Sequence, residues 1–334
     1  MTMEICCRVA LSICLNLSLK KMVKVHIRKI RITYFTAILA GLCCALYLAI
    51  SFVSGFGEID EDTYIIFGAP YAVDIYLGQR WGVVTNSFIH VIWYQLAVNI
   101  ILLLIFGPII EKRSGPFRLF LFGLVASTVT SCVQLALSND AGLGLSGVNY
   151  ALYGFCLVKS YTDTRYNDLP MGILSALMFT ILALCIYLNL FQSWNFGLAS
   201  MYSGFVWGCL TATLSIKPMK YISGSILFSV AVLCAVSLFY APWSAEWQLG
   251  RGVLAHEQGR KETAYRYYQK CLSMKPGHKL AKENLKLMHI DELSEQAYSA
   301  HVSGDYSKAR DLYLEILRMD RNNRWAKENL NQLP

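Results

Sequence analysis

A four-residue stretch, GLSG at residues 144–147, places a potential nucleophile between two glycines. The hydroxyl of Ser146 could attack a carbonyl if a neighbouring base removed its proton and hydrogen-bond donors stabilised the resulting oxyanion. The stretch also has a structural interpretation, because small residues at Gly147, Ala151 and Gly154 let two transmembrane helices approach closely. Taken alone, GLSG does not choose between acyl transfer and helix packing.

Other residues surround this serine in an order that favours a catalytic origin for the motif. They are FGAP at residues 67–70, Trp81, Thr85, His90, Asn99, the series Gly107, Glu111 and Gly115, and the pair Gly204 and Gly208. Together with GLSG, this ordered set resembles the rhomboid family of intramembrane serine proteases over roughly residues 34–216. The resemblance implies a membrane-embedded helical bundle whose substrates are transmembrane segments.

In that family a serine at the start of the fourth core helix works with a histidine on the sixth, just before a G-x-x-x-G pair. The resemblance assigns Ser146 as the nucleophile. Backbone near Gly144 and the side chain of Asn99 would support the oxyanion, and Tyr150 would pack beside the catalytic histidine. These roles are implied by the family and not by the spacing of the residues.

Two histidines of the family pattern are absent from this sequence. The register fixed by Gly204 and Gly208 puts Met201 where the family has its catalytic histidine. Gln95 stands where a second histidine, four residues before Asn99, supports the oxyanion. Glutamine can still donate a hydrogen bond, whereas a thioether is only a weak acceptor. The pattern therefore predicts a serine without its base.

No other basic side chain is expected to replace the missing histidine. Lys159 lies thirteen residues further along the same predicted helix, about 20 Å from Ser146. His90 occupies a position where the family also has a histidine, which favours a structural role. Ser146 is then expected to make only a local hydrogen bond. No histidine falls between residues 91 and 255, since the six are His26, His90, His256, His278, His289 and His301.

Two functional hypotheses follow, and a third is disfavoured. The first is a non-proteolytic rhomboid-like protein that binds transmembrane segments, as Met201 and Gln95 indicate. The second is an active serine endopeptidase with Ser146 as nucleophile, like Gram-positive bacterial rhomboids that carry an external repeat tail; Tyr150 and Asn99 favour it. A transporter or scaffold is disfavoured, because transporters place ionisable residues inside the membrane and these spans have almost none.

Hydrophobic runs predict the helices that position these residues. Charged residues make up only 16% of the chain, against about 25% in a soluble domain, and they are scarce between residues 35 and 240. Seven runs approach the roughly 20 residues that cross a bilayer, at residues 35–54, 88–110, 117–137, 143–158, 171–191, 196–216 and 221–240. The fourth run, which contains the GLSG motif, is the shortest.

The distribution of basic residues predicts how these spans are oriented. The formal net charge is +8, but lysines and arginines flank the hydrophobic runs, which indicates membrane topology and disfavours a nucleic-acid partner. Basic residues precede the first run and follow the second, fourth and sixth, whereas the gaps after the first and fifth are acidic or uncharged. We therefore expect a multi-pass plasma-membrane protein with a cytoplasmic N-terminus and an extracytoplasmic tail.

The tail contains an internal repeat with an offset of 45 residues. AKENL occurs at residues 281–285 and again at 326–330, and the same offset pairs Tyr268 with Tyr313. The small, aromatic and proline positions resemble those of the tetratricopeptide repeat, whose usual period is 34. The additional length predicts a third helix in each copy, at residues 279–289 and 324–333.

The sequence thus predicts an all-α protein, a six-helix rhomboid-like bundle plus a seventh helix, followed by helical repeats. The expected partners are membrane lipid, transmembrane-segment substrates or clients, and a peptide or protein ligand of the repeats. Neither a cofactor nor a metal ion is expected. The predicted domains are a basic cytoplasmic segment at residues 1–33, the bundle at 34–216, the seventh transmembrane helix at 217–242 and the repeat domain at 243–334.

Overall fold

The computed structural model describes residues 32–55, 61–138, 140–192 and 196–334. Every regular element in these ranges is helical, which confirms the all-α prediction. The chain divides into two compact units, the first ending at Ala241 and the second spanning Pro242–Pro334. The predictions for the basic N-terminal segment up to residue 31 and for the acidic residues 58 and 60 lie outside the described residues.

The first unit has helices at all seven predicted spans. Among the described residues, three short helices and one 3₁₀ turn lie between the first long helix and the second. In chain order the helices are α1 (Tyr34–Val53), α2 (Glu61–Ile66), α3 (Ala72–Leu77), α4 (Gly82–Thr85), α5 (Trp93–Ser114), α6 (Pro116–Ser138), α7 (Ser146–Thr162), α8 (Met171–Phe191), α9 (Leu198–Thr213) and α10 (Lys217–Phe239).

Five of these helices, α1, α5, α6, α8 and α10, are long and apolar enough to cross a membrane. The chain is therefore a multi-pass membrane protein. The other two predicted spans, α7 and α9, have 17 and 16 residues. At 1.5 Å per residue they measure about 26 and 24 Å, less than the roughly 30 Å of the hydrocarbon core. Both lie among the longer helices.

Helices α7 and α9 pack backbone against backbone along a stripe of small residues. A Cβ at Gly204 would overlap the carbonyl oxygen of Gly147, and one at Gly208 would overlap that of Ala151. Gly154 faces the backbone of α9 just as closely. Because residue numbers rise together along both helices, the pair is parallel. The small residues at these positions are thus required by packing, as in other close transmembrane helix pairs.

Glu111 of α5 caps the first membrane helix. Its carboxylate accepts hydrogen bonds from the backbone N–H of Phe35 (3.0 Å) and Thr36 (2.9 Å), and from the hydroxyls of Thr33 and Thr36. These amides are among those that a helix leaves unpaired at its N-terminus, where a negative charge is favoured. One turn earlier, Gly107 packs against Thr36: a Cβ at Gly107 would lie only 2.8 Å from the Thr36 side chain. Gly107 and Glu111, two residues of the series noted in the sequence, therefore join α5 to α1.

The second unit consists of five helices, and its central helix corrects one prediction. Residues 279–289 do not form a separate third helix but the first part of a continuous 24-residue helix. The offset of 45 exceeds the usual 34 by 11 residues, which is about three turns of helix, so the extension keeps the same face toward its neighbours. The helices are α11 (Ala245–Glu257), α12 (Lys261–Met274), α13 (Lys279–Val302), α14 (Tyr306–Met319) and α15 (Arg324–Asn331).

The two copies of the repeat share a core but differ in one buried hydrogen bond. Tyr268 and Tyr313 are both fully buried. The Tyr313 hydroxyl lies 3.1 Å from Nδ1 of His301, whereas the Tyr268 hydroxyl has no partner among the described residues. Burial raises the pKa of Tyr268 to about 12. The copies thus repeat the packing pattern while their polar contacts have diverged.

Candidate functional site

Ser146 is the first residue of α7, directly after a tight turn. Gly144 has a φ of +93°, which favours glycine, and its N–H donates to the carbonyl of Asn86 (3.0 Å). The Ser146 side chain is partly exposed. Contrary to the expected local hydrogen bond, its hydroxyl contacts no hydrogen-bonding partner in the described part of the chain. The turn therefore presents an open hydroxyl at a helix N-terminus.

Met201 lies on α9 at the level of this hydroxyl. Gly204 faces Gly147, and Met201 is one turn before Gly204 on a helix parallel to α7. That register places Met201 beside the first turn of α7, where its side chain is 5% exposed. The adjacent Ser200 N–H donates to Oε1 of Gln134 (3.0 Å), which ties the start of α9 to α6. The register therefore puts a thioether at the level of the first turn of α7.

Three polar side chains converge on Gly144. A Cβ at this position would lie 3.0 Å from Nε2 of Gln95, 3.2 Å from Cδ2 of His90 and 3.3 Å from Nδ2 of Asn99. Any larger residue would therefore meet all three groups, in addition to the strain of a positive φ. Gln95 and Asn99 of α5 therefore lie close to Gly144, the glycine of the motif that precedes α7.

The side-chain amide of Gln95 forms hydrogen bonds with two loops. Its Nε2 donates to the carbonyl of Leu143 (2.9 Å), and its Oε1 accepts from the N–H of Val91 (3.0 Å). One amide thus holds the chain leading into α7 against the chain leading into α5. Leu143 engages one of the two N–H donors of the Gln95 amide, which leaves one donor for an oxyanion.

Asn99 is oriented by a residue that the sequence did not reveal. Nδ2 of Asn149 donates to both Oδ1 and the backbone carbonyl of Asn99, each at 3.0 Å. Both asparagines are buried. This contact leaves the Asn99 amide N–H₂ facing Gly144. The only sequence signal for Asn149 was a polar residue inside an apolar helix.

His90 is fully buried beside the same turn. Its Nδ1 lies 3.2 Å from the carbonyl oxygen of Phe88, and its Nε2 has no partner among the described residues. No hydrogen bond joins the ring to Ser146 in the described structure. The imidazole therefore packs under the Gly144 turn and is held by the local backbone.

Tyr150 and Lys159 form hydrogen bonds with groups other than Ser146. The Tyr150 hydroxyl donates to the carbonyl of Met178 on α8 (2.7 Å), and one turn later Tyr153 donates to Ser175 of the same helix (2.9 Å). Lys159 donates to Ser215 (2.5 Å). Tyr150 thus links α7 to α8, and Tyr153, which the sequence analysis missed, adds a second link. Among the described residues, no cluster of three or more His, Cys, Asp or Glu side chains could hold a metal ion.

Part of the membrane unit is similar to known proteins. Residues 77–218, which contain Ser146 and Met201, match the family model for the rhomboid domain. Rhomboid protease GlpG of Haemophilus influenzae is 29% identical over 187 residues, 54% of this chain and 91% of that protein. The GlpG proteins of Serratia proteamaculans and an Enterobacter species are 28% and 25% identical over 135 and 129 residues.

The last two matches cover 40% and 39% of this chain, which spans less than half of their length, 46% and 45%. The family model ends at residue 218, before the repeat unit begins. These similarities relate part of the membrane unit to the rhomboid domain and to the GlpG rhomboid proteases.

Proposed function

We propose that this membrane protein belongs to the rhomboid family and is non-proteolytic. It would bind transmembrane clients through its helical bundle or extracytoplasmic clients through its tail. One observation carries the proposal: Met201, one turn before the Gly204 that packs against Gly147, is buried and has no proton-accepting nitrogen. A neutral serine hydroxyl is a weak nucleophile unless a base removes its proton. Removing one member of such a catalytic unit costs roughly 10⁶-fold in rate.

The other candidate side chains are hydrogen-bonded elsewhere and do not replace the missing base. Lys159 is hydrogen-bonded to Ser215 at the far end of α7. His90 contacts the backbone carbonyl of Phe88. Gln95, the second position where the family has a histidine, braces two loops. The polar residues around Gly144 thus keep the shape of a catalytic site, and a membrane segment could bind to such a bundle without any dyad.

The alternative is an active intramembrane serine endopeptidase with Ser146 as nucleophile. The open Ser146 hydroxyl and the Asn99 amide that faces Gly144 favour it. A water-mediated base would have to activate the serine. We rank this alternative second because no basic side chain is hydrogen-bonded to Ser146 among the described residues.

We also propose the topology and the role of the repeats. The basic residues that flank the spans support a cytoplasmic N-terminus and an extracytoplasmic tail. The repeated packing of α11 to α14 supports a tetratricopeptide-like unit that binds a peptide or protein ligand. The proposed domain boundaries are those predicted from the sequence, at residues 33, 216 and 242.

Labelling with a fluorophosphonate probe tests the state of Ser146. We expect the purified chain to react no faster than its Ser146→Ala variant, because an un-ionised hydroxyl without a base is a poor nucleophile. The Haemophilus influenzae GlpG protein serves as the positive control. Labelling of the parent chain that disappears in the Ser146→Ala variant would show an activated serine and favour the endopeptidase.

A further inference from the structure

The two copies of the repeat carry opposite net charges. Residues 246–290 contain nine lysines and arginines against four acidic residues, a net charge of +5. Residues 291–334 contain six against eight, a net charge of −2. Two exposed positions reverse their sign between the copies at the same offset of 45. They are Arg266, which becomes Asp311, and Lys270, which becomes Glu315.

The first copy also presents lysines and leucines together on the start of α13. Lys279, Lys282 and Lys286 are exposed and spaced i, i+3, i+7, so they share one side of the helix. Leu280 and Leu287, also seven apart, are 48% and 54% exposed on the adjoining side. We call these five residues the lysine face. None of the three lysines pairs with a carboxylate among the described residues.

The second copy lacks this combination. The positions of Lys286 and Leu287 are taken there by Asn331 and Gln332. By contrast, the buried Ala281 is conserved as Ala326, and both are fully buried. Three exposed positions also keep their character, as Arg324, Trp325 and Lys327. The two copies therefore differ in the second half of the lysine face, where only the first copy has a lysine beside a leucine.

We propose that the lysine face binds the anionic headgroups of a phospholipid bilayer. A helix with exposed leucines beside lysines is typical of segments that lie at a membrane interface. Only residues 240–244 separate the membrane helix α10 from α11, at most about 17 Å of extended chain. A bilayer is thus a negatively charged surface that the repeats can reach.

Hydrogen exchange of the full chain in nanodiscs, with one chain in each disc, tests this proposal. The discs contain either phosphatidylcholine alone or equal parts phosphatidylcholine and phosphatidylglycerol. Lysine near an anionic surface gains about fivefold in affinity per residue. We therefore expect backbone amides of residues 279–289 to exchange at least about fivefold more slowly in the anionic discs. High salt should remove the difference, because it screens the interaction.

Charge-reversal variants identify the residues responsible. The triple variant Lys279→Glu, Lys282→Glu and Lys286→Glu should lose the slowing. Replacement of the same lysines by glutamine should also lose most of it, which guards against a misfolded glutamate variant. The matched control makes the same change of charge at exposed positions of the second copy, with Arg318, Arg321 and Lys327 replaced by glutamate, and should keep the slowing.

Three outcomes would overturn the proposal. Equal exchange in both kinds of disc would show that anionic lipid is not bound. Slowing that survives the triple glutamate variant would place the contact elsewhere. Slowing that appears only with two chains in a disc would identify a second copy of the protein as the partner. None of these readings depends on Ser146, so this proposal and the proposed function can fail separately.

Discussion

Replacement of Gly208 by valine is expected to destabilise the membrane unit by about 3 kcal/mol or more, at the upper end of overpacking effects. A Cβ at this position would overlap the carbonyl oxygen of Ala151, and it would lie 2.8 Å from the Ala151 carbonyl carbon and 2.9 Å from the Phe155 nitrogen. These are backbone atoms, so α7 and α9 must separate to accept the side chain. Unfolding of the purified protein in mixed micelles, followed by circular dichroism or steric trapping, measures the change.

Gly123→Val is the matched control for this prediction. Gly123 also lies in a membrane-spanning helix, α6, but a Cβ there would meet no other atom within 4 Å. The substitution adds the same side chain and should alter the free energy of unfolding by only a few tenths of a kcal/mol in this setting. Equal effects of the two valines would mean that the contact between α7 and α9 is looser than described.

Introducing histidine at both missing positions, Met201→His with Gln95→His, is expected to create cleavage of a model transmembrane substrate. Residue 201 lies one turn before Gly204, which packs against Gly147, so we expect an imidazole there to reach Ser146 and act as the general base. A positioned base contributes about 10²–10⁴-fold, and we expect the cleavage rate to rise by that factor over the parent chain. Gel analysis of the substrate after reconstitution measures it.

The control is the same double variant carrying Ser146→Ala. It has both imidazoles but no nucleophile, so it should cleave no faster than the parent chain. A folded double variant that remains inactive would contradict the assignment of Met201 to the base position. Cleavage that persists without Ser146 would show that the new histidines act through a different nucleophile.

Hydropathy predicted the membrane helices because their apolar runs approach the thickness of a bilayer. Hydropathy was least informative for α7, whose apolar run is the shortest and whose helix has 17 residues. The contact of α7 with α9 was nevertheless predictable, since Gly204 and Gly208 are spaced for close packing against a second helix. The continuous α13 was not predicted, because an extension of three whole turns leaves the repeat pattern unchanged.

The site was predictable in its members and less so in its contacts. The sequence placed Ser146 and Met201 through their registers with neighbouring glycines. It could not show that Gln95 is engaged at both ends of its amide, because that orientation depends on two loops. The same limit applies to Asn149, whose partner Asn99 is fifty residues away along the chain. Hydrogen-bond partners distant in sequence leave no local pattern.

The most direct test of the account is the cleavage rate of a transmembrane model substrate by the purified parent chain in liposomes, compared with its Ser146→Ala variant. The Haemophilus influenzae GlpG protein under the same conditions shows that the substrate and the bilayer are suitable. We predict that the parent and the variant are indistinguishable, because Met201 provides no base for Ser146. Cleavage by the parent that is abolished in the Ser146→Ala variant would contradict the proposal that the protein is non-proteolytic.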